Sequence, residues 1–335
     1  MLGGTQWLGG EVARAALAAG HHVTCLARGS TVPSGARMVR ADRDDDQALA
    51  AVAGRRWDAV IDLATAHGHV RRAARDLAHA DRYVFVSTAS VYRDLSQAGI
   101  TEDAPTYPPL DAHAMDSMEQ YGAAKVSGER AVIAAFEPDR FAVVRPGLIG
   151  GPGDPSGRTT YWPLRFARPA NGSVLVPAAE LPTSVIDVRD LAAFLLALAE
   201  GTASGTFNAV GRSLPLSEHL RLARAAAGHD GPLLSAPDDW LIAHGVNQWA
   251  GPRSLPLWLH DAAALGLGAI DNSRALAAGL SLRPLADTLR DILAWAAASG
   301  IEAATGSGLT ASEERELLAA LTSSFPGASP PSWGK

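Results

Sequence analysis

Short apolar segments alternate with amphipathic, alanine-rich segments along the first two-thirds of the chain, and this alternation constrains the fold more than any other feature. Brief apolar runs suit buried strands, and longer stretches with apolar residues three or four apart suit helices that cover a sheet. Repeated strand–helix–strand units form parallel sheets. We therefore predict an α/β fold with a doubly wound parallel sheet. The predicted strands are residues 22–27, 36–41, 59–63, 82–87 and 141–145, and the predicted helices are residues 11–19, 45–53, 70–80 and 119–136.

From residue 150 onward the chain becomes richer in Gly, Pro and Trp, which predicts a smaller C-terminal lobe. Residues 184–191 and 205–208 again resemble strand edges, so we expect this lobe to be interleaved with the main body. A capping pattern at Thr310 or Ser312 predicts a helix over residues 311–321. The predicted division is a main domain of residues 1–150 rejoined by 184–212, a lobe of residues 151–183 and 213–322, and a tail of residues 323–335 whose Pro, Gly and Ser content predicts disorder.

Composition excludes several classes of function. The net charge of -6 and the isoelectric point near 5.9 give no basic excess for a phosphate backbone, so we predict no nucleic-acid partner. The single cysteine, Cys25, lies in an apolar run and is expected to be a buried filler. No apolar stretch approaches the ~18 residues of a membrane span, and the N-terminus does not have the layout of a signal peptide. We therefore predict a cytoplasmic protein without a membrane partner.

Residues 3–9, GGTQWLG, precede a helical segment directly, which is where a phosphate-binding turn must lie. Glycines let the backbone approach a pyrophosphate, and the free N–H groups of a helix N-terminus then bind it. Gln6 stands where the full dinucleotide pattern has a third glycine, so its side chain is expected to weaken or reshape binding. The turn predicts a dinucleotide-binding Rossmann domain, with a plain glycine-rich turn as the alternative. The predicted cofactor contacts are Gly3, Gly4, Thr5, Gln6, Trp7, Leu8 and Gly9.

Only Met1 and Leu2 precede these glycines, whereas the first strand of such a sheet usually has about five residues. Either the start is assigned too late or the strand is short. A shortened central strand loses ladder hydrogen bonds beside the cofactor, so we predict low stability or weak cofactor retention.

The end of the second predicted strand carries Arg28 and Ser30 where an acidic residue would accept from the ribose of NAD. A guanidinium pairs well with a 2′-phosphate, so NADP is favoured over NAD. The alternative is that Arg28 is a solvated loop charge. Asp42 and Arg43, after the third predicted strand, fall where the adenine ring would lie.

Tyr121 and Lys125 are four residues apart in a helical segment and share one face. A nearby ammonium favours the phenolate, so the pair suits proton transfer, and the lysine can also hold a nicotinamide ribose. The strand before them ends in Ser87 and Thr88 at the carboxyl edge of the sheet, where doubly wound folds bind their ligands. Either hydroxyl can donate to a substrate oxygen while Tyr121 transfers the proton and the cofactor transfers hydride.

Together these motifs resemble the NAD-dependent epimerase/dehydratase family of extended short-chain dehydrogenases/reductases. The matching segments, in the family's order, are GGTQWLG, DLAT at 62–65, VSTASVY at 86–92, YGAAK at 121–125, RPGLIGGPGD at 145–154 and VIDVRDL at 185–191. The resemblance implies that Thr88 is the catalytic hydroxyl, with Ser87 its neighbour. It also implies that Leu63 and Ala64 line the nicotinamide ribose, that Pro146, Gly147 and Leu148 flank the nicotinamide, and that dimers form through the helix bearing Tyr121.

We therefore predict an NAD(P)-dependent epimerase or reductase that acts on a sugar-nucleotide-like or other small carbonyl or carbinol substrate. The predicted catalytic residues are Thr88, Tyr121 and Lys125. Gln6 resembles the atypical branch of the family, so the alternative is a non-catalytic dinucleotide-binding regulatory protein.

Three further groups of side chains have both a functional and a structural interpretation. His67 and His69 lack a supporting acidic or cysteine partner, so we predict no metal site. Tyr92 is expected to be a packing or pocket-wall residue. The tryptophans of the lobe suit core packing, with a substrate-stacking pocket as the alternative. These are Trp162, Trp240, Trp249 and Trp258; Arg158, Arg189 and Arg253 are either surface ion-pair partners or contacts for an anionic substrate.

Overall fold

A computed structural model describes residues 1–29, 31–112 and 114–324. Its strands are β1 Thr24–Ala27, β2 Arg37–Arg40, β3 Ala59–Asp62, β4 Arg82–Val86, β5 Phe141–Pro146, β6 Leu148–Gly150, β7 Val174–Pro177, β8 Pro182–Thr183, β9 Val185–Asp187, β10 Gly205–Ala209, β11 Leu214–Pro215, β12 Leu233–Ala236, β13 Asn247–Trp249, β14 Gly251–Pro252, β15 Ser254–Pro256 and β16 Ser307–Gly308.

The α-helices are α1 Trp7–Ala18, α2 Ala50–Ala53, α3 His67–Asp76, α4 Tyr121–Ala135, α5 Tyr161–Ala167, α6 Val188–Glu200, α7 Leu216–Ala227, α8 Asp238–Ala243, α9 Ser273–Ala277, α10 Leu285–Ala298 and α11 Ala311–Ser324. Short 3₁₀ helices cover Ala89–Val91, Met118–Gln120 and Ala262–Ala269.

The main sheet is parallel throughout. Strands β3, β4, β5 and β10 pair in that order, and β1 pairs with β2. Leu2 joins the two groups, because it forms parallel bridges to Leu26 of β1 and to Asp62 of β3. The resulting order, β2–β1–Leu2–β3–β4–β5–β10, is that of a doubly wound Rossmann sheet, so the predicted fold class is confirmed.

The central strand is reduced to Met1 and Leu2. The Leu2 N–H donates to the Ile61 carbonyl at 2.8 Å, and the Leu63 N–H donates to the Leu2 carbonyl at 3.0 Å. On the other side, the Leu26 N–H donates to the Met1 carbonyl at 2.9 Å. These few bonds hold β1 and β3 at the correct spacing directly below the glycine turn.

Alternation along the strands divides the sheet's two faces. Val60, Tyr83 and Phe85 pack in the hydrophobic cluster with residues of α3 and α4, whereas Ile61 and Val84 pack in the cluster with residues of α1 and α6. This period of two is what places helices on both faces of a parallel sheet. It also points Asp62, two residues after Val60, toward the side of α4.

A separate hydrophobic cluster forms the core of the C-terminal part of the chain. Trp162 and Trp258 are fully buried in it, and Trp240 is nearly so, which is the core-packing alternative for three of the four lobe tryptophans. Strand β10, from the segment predicted to rejoin the main body, pairs with β5. The exact division into two domains stays a prediction.

Element boundaries differ from prediction where side chains compete with the helix. Of the helix predicted over residues 45–53, only α2 is α-helical, because Asp45 accepts from the Gln47 N–H at 2.9 Å and so favours a turn. Helix α11 extends to Ser324, so the tail predicted as disordered begins in a helix; residues 325–335 lie outside the described residues. Over the described ranges, no helix is both long and apolar enough to cross a membrane.

Candidate active site

The glycine turn is built so that side chains cannot replace its glycines. Gly3 has φ +100°, a backbone conformation that other residues rarely adopt. A Cβ on Gly9 would lie 2.3 Å from the Gly3 carbonyl oxygen, so the first turn of α1 packs directly on the loop. Gln6 is the N-cap residue of α1, and its side chain makes no capping hydrogen bond. The free N–H groups of the first turn are thus available to an anion.

A cleft of about 450 Å³ lies beside this turn. It is lined by the turn, by the residues that follow β1 and β2, and by the residues that follow β3, all at the carboxyl edge of the sheet. The cleft therefore has the position and the backbone geometry that a dinucleotide requires. Of the predicted cofactor contacts, it brings together Gly3, Thr5, Gln6, Arg28, Asp42, Arg43, Leu63 and Ala64.

Several predicted contacts have other positions. Gly4 packs against the buried Cys25, and the Trp7 indole donates to the Pro152 carbonyl at 2.8 Å, which ties the glycine turn to the loop after β6. Leu8 packs in the α1/α6 hydrophobic cluster. None of these side chains lines the cleft, because helix α1 turns them toward the protein interior.

The two predicted adenine contacts differ in their positions. Asp42 is exposed, whereas the Arg43 guanidinium is buried and binds Asp62 with two hydrogen bonds of 2.8 and 3.2 Å. Arg28 is exposed at the rim, and Ser30 lies outside the described residues. His69 also lines the cleft and donates to Asp44 at 2.7 Å, which lowers the pKa of that carboxyl. Sequence reasoning considered His69 only as a metal ligand, although its place after β3 was a usable signal.

Tyr121 begins helix α4 and lies in hydrogen-bonding contact with the Thr88 hydroxyl. Burial raises the pKa of the Tyr121 phenol, and the hydrogen bond from Thr88 lowers it in part. Thr88 is the residue before the 3₁₀ turn Ala89–Val91, where its Oγ1 accepts from the Ser90 N–H at 3.2 Å. The expected lowering of the phenol pKa by Lys125 is not among its causes, because the ammonium is directed elsewhere.

Lys125 is buried and points into the edge of the sheet. Its Nζ donates to the Ala64 and Val86 carbonyls, each at 2.7 Å, and lies 4.8 Å from the centre of the Phe85 ring. Burial lowers the pKa of Lys125 from 10.5 to about 8, against the raising effect of nearby carboxylates. The ammonium therefore lies beside the backbone of Ala64, which lines the cleft.

Ser87 has a different role from Thr88. Its hydroxyl is buried and donates to Glu129 of α4 at 2.5 Å, so it is not free to meet a substrate. Glu129 also receives two hydrogen bonds from Arg145 of β5, at 2.9 and 2.7 Å. This ion pair joins the end of β4, helix α4 and β5 behind the catalytic residues, and periodicity alone gave no sign of it.

The predicted nicotinamide-flanking residues follow β5 at the same edge of the sheet. Gly147 packs against Val210, and Leu148 is buried beside Trp249 in a small cavity. Tyr92, expected to be a packing or wall residue, is fully buried and donates to Asn208 at 2.6 Å.

The lobe arginines are mostly paired within the chain. Arg189 binds Asp187 and Asp291, each at 2.7 Å, and Arg253 binds Glu316 at 3.1 Å. Arg158 instead lies over the Trp249 ring, 5.1 Å from its centre. Among the described residues, no group of three or more His, Cys, Asp or Glu side chains could hold a metal ion.

Comparisons with known proteins agree with this geometry. The model of the NAD dependent epimerase/dehydratase family matches residues 1–209. A 2′-dehydrokanamycin reductase of Streptomyces kanamyceticus is 37% identical over 140 residues, which are 40% of this chain and 37% of the relative. A putative epimerase of Burkholderia cenocepacia is 23% identical with a TM-score of 0.67, covering 88% of this chain and 97% of the other.

The Bordetella bronchiseptica enzyme WbmG, solved with NAD and UDP, is 18% identical with a TM-score of 0.64 over 90% of this chain and 94% of its own. At these identities the two structures show that the fold is shared. The family match covers well over half of the chain and includes every segment on which the resemblance was based. The chain therefore belongs to the NAD dependent epimerase/dehydratase family, and it is an NAD(P)-dependent enzyme.

Proposed function

We propose that the protein is a nicotinamide-dependent oxidoreductase in which Tyr121 exchanges a proton with a substrate carbonyl or carbinol oxygen. The observation that carries this proposal is the contact between the Tyr121 phenol and the Thr88 hydroxyl at the carboxyl edge of the sheet, one helical turn from Lys125. Two hydroxyls side by side can orient one substrate oxygen, and the phenol can donate or accept its proton. A nicotinamide dinucleotide, when bound, supplies or takes the hydride.

The other residues bind and orient. The α1 N-terminus and its glycine turn suit a pyrophosphate, and Lys125, beside Ala64, suits a ribose hydroxyl. The raised pKa of Tyr121 favours a protonated phenol at neutral pH, so the residue is ready to act as the acid in carbonyl reduction. For this reason we favour reduction, with epimerisation as the alternative that uses the same residues.

The preferred cofactor is NADP. No carboxylate follows β1 at the cleft, where Arg28 is exposed and NAD sites have an acidic residue for the ribose. The finer choice of NADP rests on this arginine alone.

The substrate class is a sugar-like molecule. The segment between Thr88 and Tyr121 runs beside the start of α4, since the Leu110 N–H donates to the Ala123 carbonyl at 3.2 Å. This acidic edge favours an amino-sugar ketone, as the name of the reductase relative suggests, over a UDP-sugar, as found in the structural relatives. Its exposed carboxylates are Asp94, Asp111, Asp116 and Glu119.

The test is turnover by wild type and by Tyr121→Phe, followed at the reduced-nicotinamide absorbance band with keto-aminoglycosides and UDP-sugars as two substrate panels. We expect Tyr121→Phe to lower kcat at least about 100-fold, the usual contribution of a positioned acid or base. Tyr107→Phe is the matched control, because Tyr107 is exposed and packs near the same end of α4.

Equal activity of wild type and Tyr121→Phe would refute the proposed role of the phenol. Cofactor binding without turnover on either panel would instead support the alternative of a non-catalytic regulator. The predicted homodimer and the predicted cytoplasmic location remain predictions.

A further inference from the structure

A continuous chain of buried hydrogen bonds leads from the adenine end of the cleft to Lys125. Arg43 donates to both oxygens of Asp62, and Asp62 Oδ1 accepts from the Ala64 N–H at 3.0 Å. The carbonyl of the same residue, Ala64, accepts from Lys125 Nζ at 2.7 Å. Asp62 is completely buried, and Lys125 is 4% exposed, so water does not compete for these bonds. Asp62 and Lys125 thus act on one residue that lines the cleft.

Stability alone does not account for a carboxylate at this position. Asp62 ends β3 in a face otherwise packed with apolar side chains, and its Oδ2 accepts from the Tyr83 hydroxyl at 2.7 Å. A buried ion pair such as Arg43–Asp62 gives little net stability compared with apolar side chains of similar size, because both charges lose their hydration. The carboxylate is therefore expected to have a second role, and its bonded neighbour Ala64 leads directly to Lys125.

Lys125 needs nearby negative charge. Its ammonium is surrounded by the Phe85 ring and by carbonyls, and burial lowers the pKa of Lys125 to about 8. The charged groups that act on it are Asp62 and Glu129, which raise the pKa, and Arg43, which lowers it; the phenol of Tyr121 lies one turn earlier on the same helix. Asp62 has the larger effect of the two carboxylates.

We propose that Asp62 is a positioning residue for Lys125: it fixes the Ala64 peptide that accepts the ammonium, and its charge stabilises the protonated amine in the cofactor cleft. This proposal rests on the proposed function, in which the ammonium holds the cofactor ribose. Arg43 holds Asp62 in place, and through the His69 carbonyl, to which it donates at 2.7 Å, it links the adenine end of the cleft to the same group.

The chain offers a direct measurement, because it contains only two lysines, Lys125 and Lys335. Protein labelled with ¹³C at the lysine ε-carbon should give two NMR signals, and Lys335→Arg assigns them. We expect the Lys125 signal to titrate near pH 8. Asp62→Asn should lower that pKa by about 1 unit, and Arg43→Met should raise it, because the two variants remove opposite charges.

The opposite signs separate this role from a structural one, since both substitutions break the same buried pair and both should lower stability. Glu314→Gln is the matched control: Glu314 is fully buried, pairs with Arg165 at 3.0 Å and accepts from the Leu175 N–H, but lies in the lobe. It should reduce stability without moving the Lys125 titration.

A second readout is the affinity for NADPH, measured by nicotinamide fluorescence against pH. In Asp62→Asn, we expect affinity to fall at a pH about 1 unit lower than in wild type. If that variant does not fold, the double variant Arg43→Met/Asp62→Asn removes both charges and carries the test, with a Lys125 pKa below that of wild type.

An unchanged Lys125 titration in Asp62→Asn, or movement in the same direction in Arg43→Met, would overturn the proposal. Because the titration is measured without cofactor or substrate, its outcome does not depend on turnover. A normal NMR result with no activity would count against the proposed function alone.

Discussion

Replacing Lys125 by methionine should remove a pH dependence from the free energy of unfolding. In the folded protein, burial lowers the pKa of Lys125 from 10.5 to about 8, whereas the unfolded chain keeps the ordinary value. Below pH 8 both states hold the proton. Between pH 8 and 10.5 only the unfolded state holds it, so unfolding takes up a proton and a rise in pH stabilises the folded state.

The magnitude follows from that interval. Each pH unit within it contributes about 1.4 kcal/mol, so the free energy of unfolding of wild type relative to Lys125→Met should increase by about 3 kcal/mol between pH 7 and pH 11. The lost hydrogen bonds to Ala64 and Val86 change the offset between the two proteins but not this slope. Titrations of other groups occur in both proteins and largely cancel in the difference.

The assay is urea unfolding of both proteins at half-unit pH steps, followed by tryptophan fluorescence and by circular dichroism. Coincidence of the two signals checks that one free energy describes the transition. A constant difference across the range would mean that Lys125 keeps an ordinary pKa in the folded protein. A difference that shrinks as pH rises would mean that the folded state raises this pKa, and either result refutes the reasoning.

Two further predictions concern the packing of α4 and the choice of cofactor. Gly122→Ala should destabilise the fold by about 1–3 kcal/mol and lower activity, because the added Cβ would lie 2.2 Å from the Ser90 carbonyl oxygen and push α4 away from Thr88; thermal melting checks this, with Gly54→Ala, which meets nothing within 4 Å, as a control that should not lose stability. Arg28→Ala should weaken NADPH binding about 10- to 100-fold while leaving NADH binding unchanged, as measured by fluorescence titration, and equal losses for both cofactors would show that Arg28 does not meet a 2′-phosphate.

The sheet and its order could be predicted because they depend on local periodicity. Each of the five predicted strands overlaps an observed one within a few residues, since apolar runs between helical patterns have few other uses. The helix over 45–53 was overestimated, because side-chain turns at Asp42 and Asp45 compete with helical hydrogen bonds and do not alter the apolar pattern. The lobe was the least predictable part, since its short strands pair over long separations.

The candidate site shows the same division. The spacing of Tyr121 and Lys125 is a property of the sequence, because residues four apart share a helix face. Which of Ser87 and Thr88 is free was decided by a contact with Glu129, more than forty residues away. The direction of the Lys125 ammonium was decided by two carbonyls on separate strands.

The sequence by itself determined the doubly wound fold, the glycine turn, the order of the motifs and the identity of the residues that reach the carboxyl edge of the sheet. Only the tertiary structure decided how their charges and hydroxyls are partnered. Arg43, expected at the adenine ring, is buried against Asp62, and Lys125, expected to act on Tyr121, donates to the backbone. The reason is physical: periodicity follows from local backbone geometry, whereas the cost of burying a charge depends on partners that the chain brings together only when it folds.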